Sequence, residues 1–139
     1  MQPQRPGSVS PIRTFTSGRP WEAKYAYSRG ILYGDVFETC LTSPSNPDGS
    51  IVGAGDVFAQ TVRCYDIVLA SLTEAGMNPA HIVRSDIYML DTRQWEEAAR
   101  AHKHVIGEQS RPVLSFIGCA NFWHPDILVE VALRAYAGA

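Results

Sequence analysis

The stretch that most limits what this chain can become is 125–133, Pro-Asp-Ile-Leu-Val-Glu-Val-Ala-Leu. Its β-branched and apolar residues suit a buried strand or the start of one. Glu130 stands inside that run, between Val129 and Val131. A carboxylate there must find a hydrogen-bonding partner, reach water or hold a proton. Two readings are open. Strands alternate faces, so Glu130 can lie on the wet side of a half-exposed strand. Or it is buried with its pKa raised toward neutrality, a form in which carboxyls serve as general acid or base.

Composition narrows the partners. The 139 residues suit one domain, and 45% apolar with 19% charged residues is ordinary for a globular protein. A net charge of -2 gives no basic footprint, which argues against nucleic acid as the main partner. No apolar run approaches the length of a membrane helix and no signal-peptide pattern opens the chain, so a cytoplasmic protein with no membrane contact is expected. Cys40, Cys64 and Cys119 are odd in number and widely spaced. They read as free thiols in a reducing compartment.

Along the chain, residues 1–20 are rich in Pro, Ser, Gly, Gln and Arg and read as a flexible N-terminal segment, in which 12–15 offers one edge strand. Residues 21–139 then form a single domain. Aromatic residues punctuated by Gly over 21–35 suggest two short strands around a tight turn. Residues 36–41 read as a strand with Val36, Glu38 and Cys40 on one face and Phe37, Thr39 and Leu41 on the other. If the second face packs on the core, Glu38 and Cys40 look out together. Turn residues fill 42–50. A helix over 56–75 has Asp56 as N-cap and Gly76 as its stop. A strand over 82–90 leads to a second helix, capped by Asp91 and ending near Gly107. Another strand follows over 113–120, and a loop at 121–124 returns to the opening run. The order gives an α+β fold, one sheet with two helices on one face. The sheet's other face is left uncovered, which points to oligomerisation.

The candidate chemistry is sparse. Cys40 beside Glu38 can form a proton-transfer or nucleophilic pair, or be a small hydrophobe next to a solvated carboxylate. Tyr27 and Arg29 lie two apart and share a face if extended, where they would hold an anionic substrate. His102 and His104 are also two apart, the wrong spacing for one helix face, so no metal site is expected. There is no phosphate-binding Gly loop, nucleophile elbow or zinc spacing. Alternation and position offer Phe116 and Trp123 as the side chains with which a neighbouring subunit completes a cleft.

An ordered set of short matches goes further. Tyr27-Ser28-Arg29, Gly34-Asp35, residues 46–53 (Asn-Pro-Asp-Gly-Ser-Ile-Val-Gly) and Ala59-Gln60-Thr61 open it. Glu74-Ala75-Gly76, Ile82-Val83-Arg84, Tyr88, Asp91, Trp95-Glu96-Glu97, Ala101-His102, Arg111-Pro112 and residues 125–130 continue it. Together they resemble the Rid family, the YjgF-type reactive-intermediate deaminases, over about residues 20–137. The resemblance implies a chorismate-mutase-like fold with a mixed sheet, assembled as a homotrimer around a central barrel, with ligand clefts at the subunit interfaces. It implies cofactor-free hydrolysis of small enamines and imines to keto acids and ammonia. The family's water-activating Glu falls on Glu130 and its cleft Tyr on Tyr27. Its carboxylate-clamping Arg, two residues after a Pro, falls on Leu114, which cannot form that bidentate pair. Its Ser-Gly pair falls on Cys40-Leu41. The expected site is therefore Glu130, Cys40 and Tyr27 as catalytic groups, with Arg29, Glu38, Leu114, Phe116 and Trp123 around the substrate. These departures imply a substrate without the usual carboxylate. Hydrolysis, dehydration or cyclisation in a specialised biosynthetic pathway would then be the reaction. The alternative is a non-catalytic, small-molecule-binding or chaperone-like trimer that has lost deaminase activity.

Overall fold

The computed structural model describes residues 11–138. Nine elements build it: β1 (Ile12–Phe15), α1 (Pro20–Lys24), β2 (Gly30–Tyr33), β3 (Val36–Thr39), α2 (Val57–Glu74), β4 (Ile82–Met89), α3 (Trp95–Ile106), β5 (Val113–Gly118) and β6 (Val129–Tyr136). The strands form one six-stranded sheet in the order β1-β2-β3-β6-β4-β5. Only β4 and β5 run parallel. A parallel pair needs a crossover, and α3 supplies it. The fold is the expected α+β mixed sheet.

Burial parity separates the two faces of the sheet. Val129, Val131, Leu133 and Ala135 of β6, with Ser85, Ile87 and Met89 of β4, are buried. They meet the apolar side of α2, where Cys64, Tyr65, Val68 and Leu72 have no exposure. Asp56 caps α2 by accepting from the Ala59 amide at 3.0 Å. Gly76, at φ +84°, turns the chain out of the helix as expected of an αL stop. The alternate residues, Glu130, Ala132 and Arg134 on β6 and Arg84, Asp86 and Tyr88 on β4, face away from the helices.

Three local expectations need correction. Residues 20–24 are helix, not strand: Pro20 opens α1 and Glu22 is only 3% exposed within it. The last strand starts at Val129, four residues later than the apolar run. The buried Gln60 holds the preceding segment instead, donating to the Asp126 carbonyl at 2.7 Å and accepting from the Leu128 amide at 2.8 Å. The loose segment expected over 1–20 falls outside the described residues for 1–10. Ile12–Phe15 forms the expected edge strand beside β2, whereas Arg19, expected in loose chain, is buried.

Candidate active site

Glu130 is on the helix-free face of β6 yet only 9% exposed. The cover comes from the segment after β3. Thr42 exchanges backbone hydrogen bonds with Val131 at 2.9 and 3.1 Å, which lays residues 41–43 alongside Glu130. The Ser43 hydroxyl donates to Glu130 Oε2 at 2.5 Å, and the Trp123 indole N–H donates to the same hydroxyl at 2.7 Å. Burial pushes the Glu130 carboxyl above its ordinary range, with Ser43, Trp123 and the charge of Arg29 drawing it partway back. Of the two readings of Glu130, the buried one describes the molecule.

Around that carboxyl is an open pocket of about 420 Å³, walled by Leu41, Tyr88, Cys119, Phe122 and Trp123, with Asn121 at its rim. Trp123 also lines a second cavity of about 320 Å³ with Trp21 and Tyr27. Glu130, Trp123 and Tyr27 are thus brought to one region. Ser43, Tyr88 and the residues from Cys119 to Phe122 were not singled out as site residues. Ser43 lies in a run of turn residues, and only the Thr42–Val131 bridge reveals its role.

Arg29 is turned into the fold and lines neither cavity. It is 4% exposed, and its guanidinium donates to Glu22 Oε2 at 3.1 and 3.2 Å. The same group donates to Cys40 Sγ at 3.1 Å, the Leu41 carbonyl at 3.3 Å and Thr42 Oγ1 at 3.0 Å. It is the post on which the 40–42 segment hangs. Glu22 accepts in addition from Thr16 Oγ1 at 2.8 Å, the Ser17 amide at 3.0 Å and the Ser17 hydroxyl. This buried pair is the principal electrostatic feature that was not foreseen.

Cys40 and Glu38 do not form a pair either. Burial raises the Cys40 thiol, and the Arg29 charge offsets that only in part, so the nucleophilic thiolate is disfavoured. Glu38 lies on the exposed hairpin, accepting from Tyr33 and from Arg134 at 2.8 and 3.0 Å. Arg134 is four residues from Glu130 along β6, about 13 Å at the usual strand rise.

Leu114 and Phe116 face the opposite side of the sheet. In the β4–β5 register they stand beside Ser85 and Ile87, on the helix side, and both pack against the core. Phe116 meets Trp95 there, with ring centroids 5.9 Å apart. The β5 positions on Glu130's side are Ser115 and Ile117, beside Asp86 and Tyr88. Counting from Pro112 misses them by one residue, and one residue reverses the face of a strand. His102 hydrogen-bonds Tyr65 at 2.7 Å, and His104 packs on Phe58.

The profile of the family described as endoribonuclease L-PSP matches residues 17–137. That span is nearly the whole chain. The protein belongs to this family, the YjgF/Rid family. Among solved structures, Rv2704 of Mycobacterium tuberculosis, described as a member of the YjgF/YER057c/UK114 family, superposes with a TM-score of 0.81 at 29% identity, covering 91% of this chain and 100% of that one. YyfA of Yersinia pestis, described as a Rid-family protein of unknown function, gives 0.81 at 22% identity, covering 91% and 100%. The Streptomyces coelicolor protein SCO2049 is 27% identical over 128 residues, 92% of this chain and 94% of that protein. These likenesses agree with the Rid resemblance and with the mixed-sheet fold.

Proposed function

We propose that this Rid-family chain hydrolyses a small imine or enamine, with Glu130 as the general base. The observation that carries the reading is a buried carboxyl, raised in pKa, at the edge of an open pocket. Glu130 takes a proton from water as its oxygen adds to the imine carbon. It then returns that proton to nitrogen to give the carbinolamine, and carries the hydroxyl proton to nitrogen in turn as the C–N bond breaks, releasing ammonia and a carbonyl compound. The balance needs water alone and no cofactor. Ser43 and Trp123 fix the carboxyl's orientation, and Tyr27 stands at the cavity that shares Trp123.

The same reading includes a homotrimer. Away from Glu130, the helix-free sheet face carries Glu38, Arg84, Asp86 and Arg134 beside the exposed Val113, and nothing within the described chain covers that part of it. A second copy lying there would deepen the open pocket into a cleft. Nucleic-acid cleavage fits less well, because among the described residues neither Glu130's pocket nor the adjoining cavity is lined by Arg or Lys. None of the helices is long and apolar enough to cross a membrane among the described residues.

The experiment generates a series of imines in situ and compares carbonyl release with and without the protein, with Glu130→Gln run beside it. General-base catalysis predicts a loss on the order of 10²-fold or more in that variant. No acceleration with any imine would leave the non-catalytic binding role. Equal acceleration by Glu130→Gln would remove Glu130 from the chemistry.

A further inference from the structure

A separate cavity, of about 370 Å³, lies where the turn after β1 meets the outer flank of α2. The stretch from Thr16 to Arg19 forms one wall, and a stripe of α2 from Arg63 to Glu74 forms the other. Because α2 lies on the helix side of the sheet, both walls come from one chain and stand apart from the face on which a second copy is placed.

One end of this cavity is positive. Arg19 is only 5% exposed, and its guanidinium donates to Ser45 Oγ at 2.9 Å, to the Ser17 carbonyl at 3.3 Å and to the Ser45 carbonyl. Arg63 donates to the same Ser45 carbonyl at 3.3 Å and to Asn46 Oδ1 at 3.4 Å. Every one of these acceptors is uncharged, and each guanidinium keeps N–H donors that none of these bonds uses. Burial and the charges of Arg29 and Arg63 hold Arg19 below the ordinary arginine value. Glu22, already paired with Arg29, offsets that only in part. Two cations gathered on one carbonyl, with no carboxylate of their own, leave positive charge in a partly desolvated place.

The rest of the stripe has a different character. Ile67 and Ala70 make an apolar floor, and Asp66 and Glu74 stand at the solvent side, one helical turn before and after Ala70. Ser71, 2% exposed, adds a hydroxyl with no hydrogen-bond partner among the described residues. The sequence along α2 is thus cation, apolar floor, then carboxylates around a small residue.

We propose that this cavity binds a linear amino-phosphate, a phosphomonoester joined to an ammonium by an alkyl linker. The nearly dianionic phosphate sits between Arg19 and Arg63, whose two charges it matches. The linker lies on Ile67 and Ala70. The ammonium donates to Asp66, Glu74 and the Ser71 hydroxyl. Arg63 and Ala70 are seven residues apart, about 10 Å along the axis, the reach of a linker of about six carbons. The site is independent of Glu130 and of the hydrolytic reading.

Isothermal titration calorimetry of the full chain with 6-aminohexyl phosphate tests it, with hexyl phosphate and O-phosphoethanolamine alongside. Saturable binding of the first is expected, unchanged in Glu130→Gln. Hexyl phosphate should bind about 2- to 5-fold more weakly, the range for an exposed ion pair, and the double variant Asp66→Asn, Glu74→Gln should remove that difference. Arg63→Gln should weaken binding by about 10-fold or more, as for loss of a charged hydrogen-bond partner. Circular dichroism checks that each variant is folded, and the double variant changes only exposed side chains. Absent binding of 6-aminohexyl phosphate overturns the site, and undiminished binding in folded Arg63→Gln overturns its location. Hexyl phosphate or O-phosphoethanolamine binding equally well overturns the bipolar ligand.

Discussion

Replacing Glu22 by Gln tests whether the site is hung on a buried ion pair. Glu22 and Arg29 meet at 3.1 Å with side chains 3% and 5% exposed. The amide keeps the shape of the carboxylate and can still accept a hydrogen bond, but it leaves the guanidinium without a counter-charge. Breaking one side of a buried pair costs about 3–5 kcal/mol. With a urea m-value of about 1–3 kcal/mol/M for a chain of this size, the lower figure already moves the unfolding midpoint down by at least about 1 M. Circular dichroism at fixed protein concentration measures it, because any self-association makes the midpoint concentration-dependent. Adding Arg29→Met should recover much of the loss, since no unpaired charge then remains. The acid limb carries the same information. Burial alone would raise the Glu22 carboxyl, but Ser17, Thr16 and the Arg29 charge outweigh it and hold it below its ordinary range. A carboxyl so depressed contributes stability that is present above its unfolded pKa and lost as pH falls through the folded value. The wild-type midpoint should therefore decline in that acid window more steeply than the variant's. A shift under about 0.3 M at neutral pH would refute the reasoning, as would a double variant no better than the single one.

Three further outcomes are expected, two at Glu130 and one at Gly30. Glu130 must be ionised to act as base, so turnover should fall as pH drops through its raised pKa, and Glu130→Gln should remove that limb. Its stability effect has the opposite sign to Glu22's: a carboxyl raised by burial contributes stability below its unfolded pKa that is lost as pH rises through the folded value. Glu130→Gln should then raise the urea midpoint at neutral pH while abolishing turnover, and a lowered midpoint would count against burial as the cause. Gly30→Ala should cost about 1–3 kcal/mol, an overpacking penalty. A Cβ at Gly30 would sit 2.6 Å from the Phe37 ring, which is fully buried and held edge-on by Phe15. Thermal unfolding measures it, and an unchanged midpoint would mean that the ring has room to move.

What could be read from the residues was whatever depends on local pattern. The α2 helix with its Asp56 cap and Gly76 stop is of that kind, as are β4, α3 and the placing of Glu130 in a buried strand. The rest depends on partners far away in sequence. Residues 20–24 are too short to show a helical period, and α1 exists because Pro20 starts it and Glu22 has Thr16, Ser17 and Arg29 to bind. Leu114 was assigned by counting, whereas its face is set by register with Ser85 on another strand. Glu38 and Cys40 alternate correctly, but β3 ends at Thr39, and from there Arg29 draws Cys40 inward. Arg29 itself, expected to hold an anion, does so; the anion is Glu22.

That exchange explains why Glu130, and not the more deeply buried Glu22, is the group free for chemistry. Both are carboxyls inside the fold, and desolvation raises both. Glu22 is surrounded by two hydroxyls, an amide and a guanidinium, which together outweigh desolvation and fix it as an anion over the working pH range. Glu130 has one hydroxyl donor, Ser43, and its nearest cation is already committed elsewhere. Glu130 therefore holds its proton to higher pH than Glu22 does, the direction of shift that suits a general base.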